Sequence, residues 1–252
     1  MRFEKSRARC TLALLFAVFA LPARAGDDYD PYRIPREQFR AEVSRVALRP
    51  LRLPDGTPDA ERVRVELEGL IAAELEKRGY TVVPSEAFAD TWRRFATDLG
   101  GVYDPISGMP DAQKYVLAQQ HTVRELERTQ NVDAVLSASI ALDAMPAYIG
   151  FWSWEAAGTP IRWQGKDLPS AVNQQPQRVE GPYLRVLIHD NAQVLLYDAQ
   201  IALAWSRVYV GGGYEEVPAT ELYGNRERNQ ETVAKLLGPL VDRKATGDAA
   251  SR

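Results

Sequence analysis

Residues 57–84 read TPDAERVRVELEGLIAAELEKRGYTVVP, and this stretch decides the fold class. Val63, Leu67, Leu70, Ile71 and Leu75 recur at i, i+4, i+7, i+8 and i+12, which is one apolar stripe along a helix. Thr57 can cap that helix, Pro58 suits its first position, and Asp59 and Glu61 favour the positive end of the dipole. Lys77 and Arg78 suit its C-terminus, and Gly79 can take the left-handed cap. The stripe places Leu70 in the core and Glu68 in solvent. Tyr80 to Val83 is then a short strand ended by Pro84.

The same alternation extends in both directions. Upstream, Val43 to Leu51 carries Val43, Val46, Leu48 and Leu51 and reads as a strand, with a turn at Pro54-Asp55-Gly56. Downstream, Ser85 opens a helix whose stripe is Phe88, Trp92 and Phe95, a spacing that makes Trp92 a core residue before a ligand platform. Residues 99–110 are loop by composition, and Asp111 to about Gln130 is a third helix with Val116, Val123 and Leu126 near one face. The period then changes to two. Ala134, Leu136, Ala138, Ile140 and Leu142 alternate with polar residues, as a half-buried strand requires. Leu184, Val186 and Ile188 form a second such strand, and Asp190–Gln193 turns the chain into a long β segment, Val194 to Val210. Its alternation slips near Asp198–Gln200, which calls for a bulge or break there. Val233, Leu236 and Leu237 mark a final helix stopped near Gly238-Pro239.

This order predicts an α/β (α+β) fold, a mixed β-sheet with helices mainly on one face, in a single compact domain. The domain spans 41–240, with an aromatic-rich excursion at 146–181 that does not read as regular structure. Residues 26–40 read as an extended polar leader, and 241–252 as a polar tail.

Three segments carry a family resemblance. They are Ser44 to Leu51, the helix end and strand from Leu75 to Pro84, and Asn131 to Leu136. Together with the hairpin Leu187 to Leu196, they resemble the exported α/β domains of the curli-secretion (CsgG-type) lipoproteins and the amino-terminal domain of TolB. Gln193 stands where those hairpins turn on glycine, and the lipid-attachment cysteine is absent. The resemblance implies an envelope domain that binds other proteins rather than an enzyme.

The first 25 residues address the chain. Arg2, Lys5, Arg7 and Arg9 form a basic head, and Thr11 to Leu21 is a run of small and apolar residues. Pro22 breaks it, and Ala23-Arg24-Ala25 supplies a signal-peptidase site with Gly26 as the mature start. The run is too short for a membrane span, which takes roughly 20 apolar residues. Residues 1–25 are therefore expected to be a cleaved signal peptide, and the mature chain to be periplasmic or else secreted. It should carry no transmembrane segment. The one cysteine, Cys10, leaves with the signal, so no disulfide supports the fold. The signal also removes five of 31 Lys/Arg and one of 34 Asp/Glu, taking the net charge from −3 to −7. That balance gives no support to nucleic-acid binding, which needs a basic face.

No residue constellation names a reaction. Two histidines, His121 and His189, are too few for a zinc site of the usual ligand types, and no cofactor motif occurs. Gly150–Trp154 lacks the glycine of a nucleophile elbow, and Gly158 to Asp167 has the wrong spacing for a phosphate loop. Carboxylate pairs such as Asp133/Asp143 or Glu215/Glu216 could serve glycoside hydrolysis, but strand alternation exposes acids without any function.

One local feature stands out. Tyr148, Trp152, Trp154 and Trp163 crowd into one segment that holds three of the chain's five tryptophans. They are the candidate partner-binding residues, because such rings supply large, rigid contact area. Alternatively they cap the sheet. The sequence therefore suggests a non-catalytic exported envelope protein, an interaction or assembly module whose partner is another envelope protein or a second copy. The alternative is a periplasmic glycan-binding protein or hydrolase using a cleft beside the aromatic loop.

Overall fold

Gly79 turns the chain at φ +89°, and this one residue joins the helix and strand on which the fold is built. The computed structural model describes residues 30–148, 151–156, 159–163, 177–204, 207–210 and 213–243. In it α1 (Arg36–Glu42) leads into β1 (Arg45–Leu48), and α2 (Ala60–Lys77) into β2 (Thr81–Val83). Tyr80 N–H donates to Leu75 C=O at 3.1 Å and Gly79 N–H to Glu76 C=O at 2.9 Å, the paired bonds of a Schellman cap. The start of α2 differs from the sequence reading. Thr57 Oγ donates instead to Pro54 C=O at 2.7 Å, closing the turn, and the helix begins three residues later.

Next come α3 (Ser85–Asp98) and α4 (Ala112–Gln130), the latter capped by Asp111 Oδ1 accepting from Gln113 and Lys114 N–H. β3 (Ala134–Tyr148) lies parallel to β1 on the side opposite β2, giving the order β2–β1–β3. The rest of the sheet is antiparallel. After β4 (Phe151–Ala156) and β5 (Thr159–Trp163) comes β6 (Gln177–Asp190), which pairs with β3 from Ala134↔Asp190 to Ala147↔Gln177. β7 (Leu195–Ala202) adds to β6. β8 (Arg207–Val210) and β9 (Gly213–Glu216) form a separate ribbon before α5 (Ala219–Gly224) and α6 (Arg226–Leu237).

Both faces of the sheet are covered around β1. Val46, Leu48, Leu136, Val186 and Tyr197 pack with α1, α2, α5 and α6, whereas Ala47 and Val135 point the other way, into Phe88 of α3 and Val123 and Leu126 of α4. Helices thus lie mainly on one face of a mixed sheet, in one compact domain.

Five further expectations need correcting. The reading of residues 26–40 as an extended leader fails from Asp30 onward, where the chain is built into the core. Phe39 is fully buried, its ring 5.2 Å from Tyr32 and 6.5 Å from Tyr80, and Tyr32 bridges to Tyr197 along the edge of β7. Glu68 is not a free solvent-facing side chain but partly buried and hydrogen-bonded. Its carboxylate accepts from Leu51 N–H at 2.6 Å and from the Ser85 hydroxyl, while Leu70 is only partly buried. The slip in β7 falls at Leu196, where Ile188 faces Tyr197 but His189 faces Leu195, so the bulge precedes Asp198–Gln200. Val116 is about half exposed, and α4 buries Ala118, Thr122, Val123 and Leu126. Residues 241–243, the described part of the 241–252 tail, are also tied down, since Arg243 N–H donates to Arg78 C=O at 2.8 Å.

Candidate functional site

Where it is described, the aromatic excursion consists of β-strands. β3 runs on past Leu142, whose 55 % exposure marks where helical cover stops, and hands over to a β4–β5 hairpin. Tyr148 ends β3 opposite Phe151 of β4. Trp152 lies opposite Ala147 on one side and Trp163 on the other, and Trp154 opposite Ile161. The register therefore brings Trp152 and Trp163 together at one rung, with Trp154 two residues along. Ala25 and Gly26 lie outside the described residues.

A cleft of about 970 Å³ opens elsewhere, at the carboxyl end of β1 between the sheet, α3, α4 and the 99–111 loop. Ser137 lines it, 11 residues before Tyr148 on the same strand. At about 3.3 Å per residue the cleft and the hairpin lie roughly 35 Å apart along β3.

The walls of this cleft are aromatic and its charges are all positive. Trp92 of α3 and Tyr115 of α4 meet edge to face with centroids 4.8 Å apart. Trp92 thus serves both readings: it packs on the second core cluster and lines the cleft. Arg49 sits half-buried just past β1, its backbone N–H on Leu136 C=O at 2.8 Å and its guanidinium 5.2 Å from the centroid of Phe88. Burial pushes the Arg49 guanidinium below its ordinary value, partly offset by Tyr115, its hydrogen-bonding partner. His189 is lowered too, first by burial and then by the charge of Arg49. Sequence reasoning missed Arg49. The one signal was an arginine pair, Arg49 and Arg52, directly after an apolar strand.

The 99–111 loop that borders the cleft is held by one carboxylate. Asp104 Oδ1 accepts from Ile106 N–H at 3.0 Å, Ser107 N–H at 2.7 Å and Ser107 Oγ at 2.9 Å. These bonds keep its carboxyl below the usual range. Gly100, Gly101 and Gly108 supply the left-handed φ values that the loop's turns need. What the loop displays is apolar: Ile106 is 95 %, Met109 66 % and Tyr103 57 % exposed. Val116 and Leu117, on the first turns of α4, are exposed as well.

Other ionisable groups have structural roles. Burial would raise Asp133, but bonds from the Ser44 hydroxyl and the Ser44 and Arg45 N–H groups hold it low. Asp133 and Asp143 stand ten residues apart around β3, about 33 Å of extended chain, far beyond the separation of glycosidase carboxylates. His121 stacks on Phe95 with centroids 5.3 Å apart, away from His189. Among the described residues no group of three or more His, Cys, Asp or Glu side chains could hold a metal ion.

No protein-family model matches the chain, and no curated protein matches it. Solved structures do. The PelC dodecamer from Paraburkholderia phytofirmans (space group P6) aligns at 15 % identity over 84 % of this chain and 96 % of its own, with TM-score 0.35. Hypothetical protein CT253 from Chlamydia trachomatis aligns at 15 % over 83 % and 99 %, with TM-score 0.34. Lipoprotein GNA1162 from Neisseria meningitidis aligns at 13 % over 65 % and 84 %, with TM-score 0.33. Scores of this size do not establish a shared fold.

Proposed function

We propose that this chain is an exported, non-catalytic envelope protein that acts as an interaction or assembly module, joining another envelope protein or a second copy of itself. The observation that carries this reading is the 99–111 loop. Asp104 and three glycines spend hydrogen bonds and special backbone angles to fix a shape whose outward side chains include Tyr103, Ile106 and Met109. Folding gains little from such exposed apolar groups, whereas covering each one contributes about 1.5–3 kcal/mol. A pre-shaped apolar loop also loses little conformational freedom on binding. The resemblance of the 44–51, 75–84 and 187–196 segments to CsgG-type domains points the same way. The β4–β5 hairpin is a second candidate contact, through Tyr148, Trp152, Trp154 and Trp163.

The test uses the mature chain, residues 26–252, with Ile106→Asp and Met109→Asp combined, and alanine at each hairpin tryptophan. Sedimentation velocity measures self-association, capture from envelope extracts measures partner binding, and urea unfolding measures stability. The loop variant should keep the urea midpoint and lose association. Unchanged association in a folded loop variant would remove the loop from this role. If folded Trp152, Trp154 or Trp163 variants alone lose association, the contact belongs to the hairpin.

A further inference from the structure

The cleft at the carboxyl end of β1 adjoins the general position of ligand sites in open α/β sheets. β1 is flanked by β2 and β3, both parallel to it. The α2 connection to β2 lies on one face of the sheet, and the α3–α4 connection to β3 on the other. The crossovers that leave the neighbouring strands β1 and β2 go to opposite faces, so the connections diverge beyond their carboxyl ends, the general position of ligands in open α/β sheets. The cleft lies beside that point, on the α3–α4 face over β3 and β6. Arg49, directly after β1, lines the cleft from that end of the strand.

Its charge is the second observation. The mature chain is net acidic, yet the described lining of this cleft contains Arg49, Arg52 and Arg93 and no carboxylate. Arg93 is paired with Asp90 at 2.7 Å on the exposed rim. Among the described residues Arg49 has Tyr115 and the Phe88 ring but no acid, so a half-buried cation lines an aromatic cleft with its charge unbalanced. Leaving such a charge uncompensated costs free energy, which an incoming anion recovers. The Phe88 ring lies against the guanidinium as a cation–π contact, and a guanidinium has five donors, so the bond to Tyr115 leaves enough for two parallel hydrogen bonds to a carboxylate.

The size of the charge narrows the ligand. One half-buried guanidinium, with Arg52 exposed nearby, matches one negative charge. The walls of Phe88, Trp92 and Tyr115 match an apolar, preferably aromatic, body. We infer that this cleft binds a carboxylate carried on an apolar body, with Arg49 as its bidentate partner and Trp92 and Tyr115 against the body. A free organic acid and the carboxyl end of a peptide both supply this chemistry. The inference is independent of the association surface proposed above, and either can fail alone.

Isothermal titration calorimetry of the mature chain tests it. The probes are 3-phenylpropanoate, its primary amide, 2-phenylethylphosphonate, and the peptide Gly-Gly-Ala-Phe with a free or an amidated carboxyl end. The acid or the free-ended peptide should bind at least about ten-fold more tightly than its amide, and whichever binds tighter identifies the source. Arg49→Gln should abolish the preference for acid over amide, Arg49→Lys should restore part of it, and Arg52→Gln should weaken the acid only a few-fold. Equal binding of acid and amide by the unaltered chain overturns the inference, as does no binding at millimolar probe. So does a folded Arg49→Gln chain that keeps the preference. Tighter binding of the phosphonate overturns the assignment of a single charge. The acid-against-amide comparison needs no variant, so it decides the matter even if Arg49→Gln fails to fold.

Discussion

Glu68→Ala should destabilise the protein strongly, although the residue sits on the polar side of the α2 stripe. Its carboxylate accepts from the N–H of Leu51 at 2.6 Å and from the hydroxyl of Ser85, two residues that are only 2 % and 6 % exposed. Alanine leaves both donors without an acceptor in places water reaches poorly. A hydrogen bond to a charged group contributes about 1.5–3 kcal/mol, and an orphaned buried donor costs about 1–3 kcal/mol. The two losses share one side chain and do not add fully, so about 2–4 kcal/mol is expected in total. That rivals Leu67→Ala, which empties a fully buried site at about 2–5 kcal/mol. Glu68→Gln keeps one carbonyl acceptor and should cost about 1 kcal/mol. Equilibrium urea unfolding of the mature chain, followed by far-UV circular dichroism, reads all three changes. A Glu68→Ala midpoint within error of the unaltered chain would refute the link between the β1–α2 loop and the start of α3.

Phe39→Ala should cost about 3–5 kcal/mol in the same assay, because Phe39 is fully buried among Tyr32, Tyr80 and Tyr197, and a solvated leader would show no effect. Asp198 makes stability fall in acid. Burial alone would raise its carboxyl, but hydrogen bonds and charge from Arg185, with Arg33, hold it below the ordinary value. Its contribution is therefore complete above the unfolded-state pKa near 3.9 and is lost as pH falls through the lower folded value. Asp198→Asn should flatten that part of the stability-against-pH curve, and an unchanged acid limb would count against it. N-terminal sequencing of the exported product should begin at Gly26, and a membrane-retained chain still starting near Met1 would contradict the signal reading.

Much of the architecture was legible because local signals agreed. The α2 stripe, Gly79 and the strand after it are set by neighbours within one turn of chain, and the structure keeps them with a later helix start and with Leu70 only partly buried. The hairpin turn was legible down to its substitution. Gln193 replaces the expected glycine and takes φ +67°, with its side chain accepting from Gln119 Nε2 at 2.6 Å. Where the sequence misled, a long-range partner was deciding. Phe39 in a polar stretch is buried by Tyr32, Tyr80 and Tyr197, residues up to 158 positions away. Glu68 is drawn inward by donors 17 residues away on either side. Composition sees none of these contacts.

The cleft shows why a site can be less legible than the fold that carries it. Arg49 in sequence is one of 31 basic residues, next to Pro50, and no spacing rule selects it. Its position acquires meaning only once β1 is known to lie between β2 and β3 with their helices on opposite faces. That arrangement depends on α2 and the α3–α4 pair choosing different sides, a property of strand order and not of any residue near Arg49. The aromatic walls arise the same way. Trp92 and Tyr115 are 23 residues apart and meet at 4.8 Å because α3 and α4 pack against each other. A stripe that reads as core on one helix becomes a wall where the neighbouring helix stops covering it. The tryptophan-rich segment drew attention in sequence because its signal is compositional, whereas the charge in the cleft is a signal of topology.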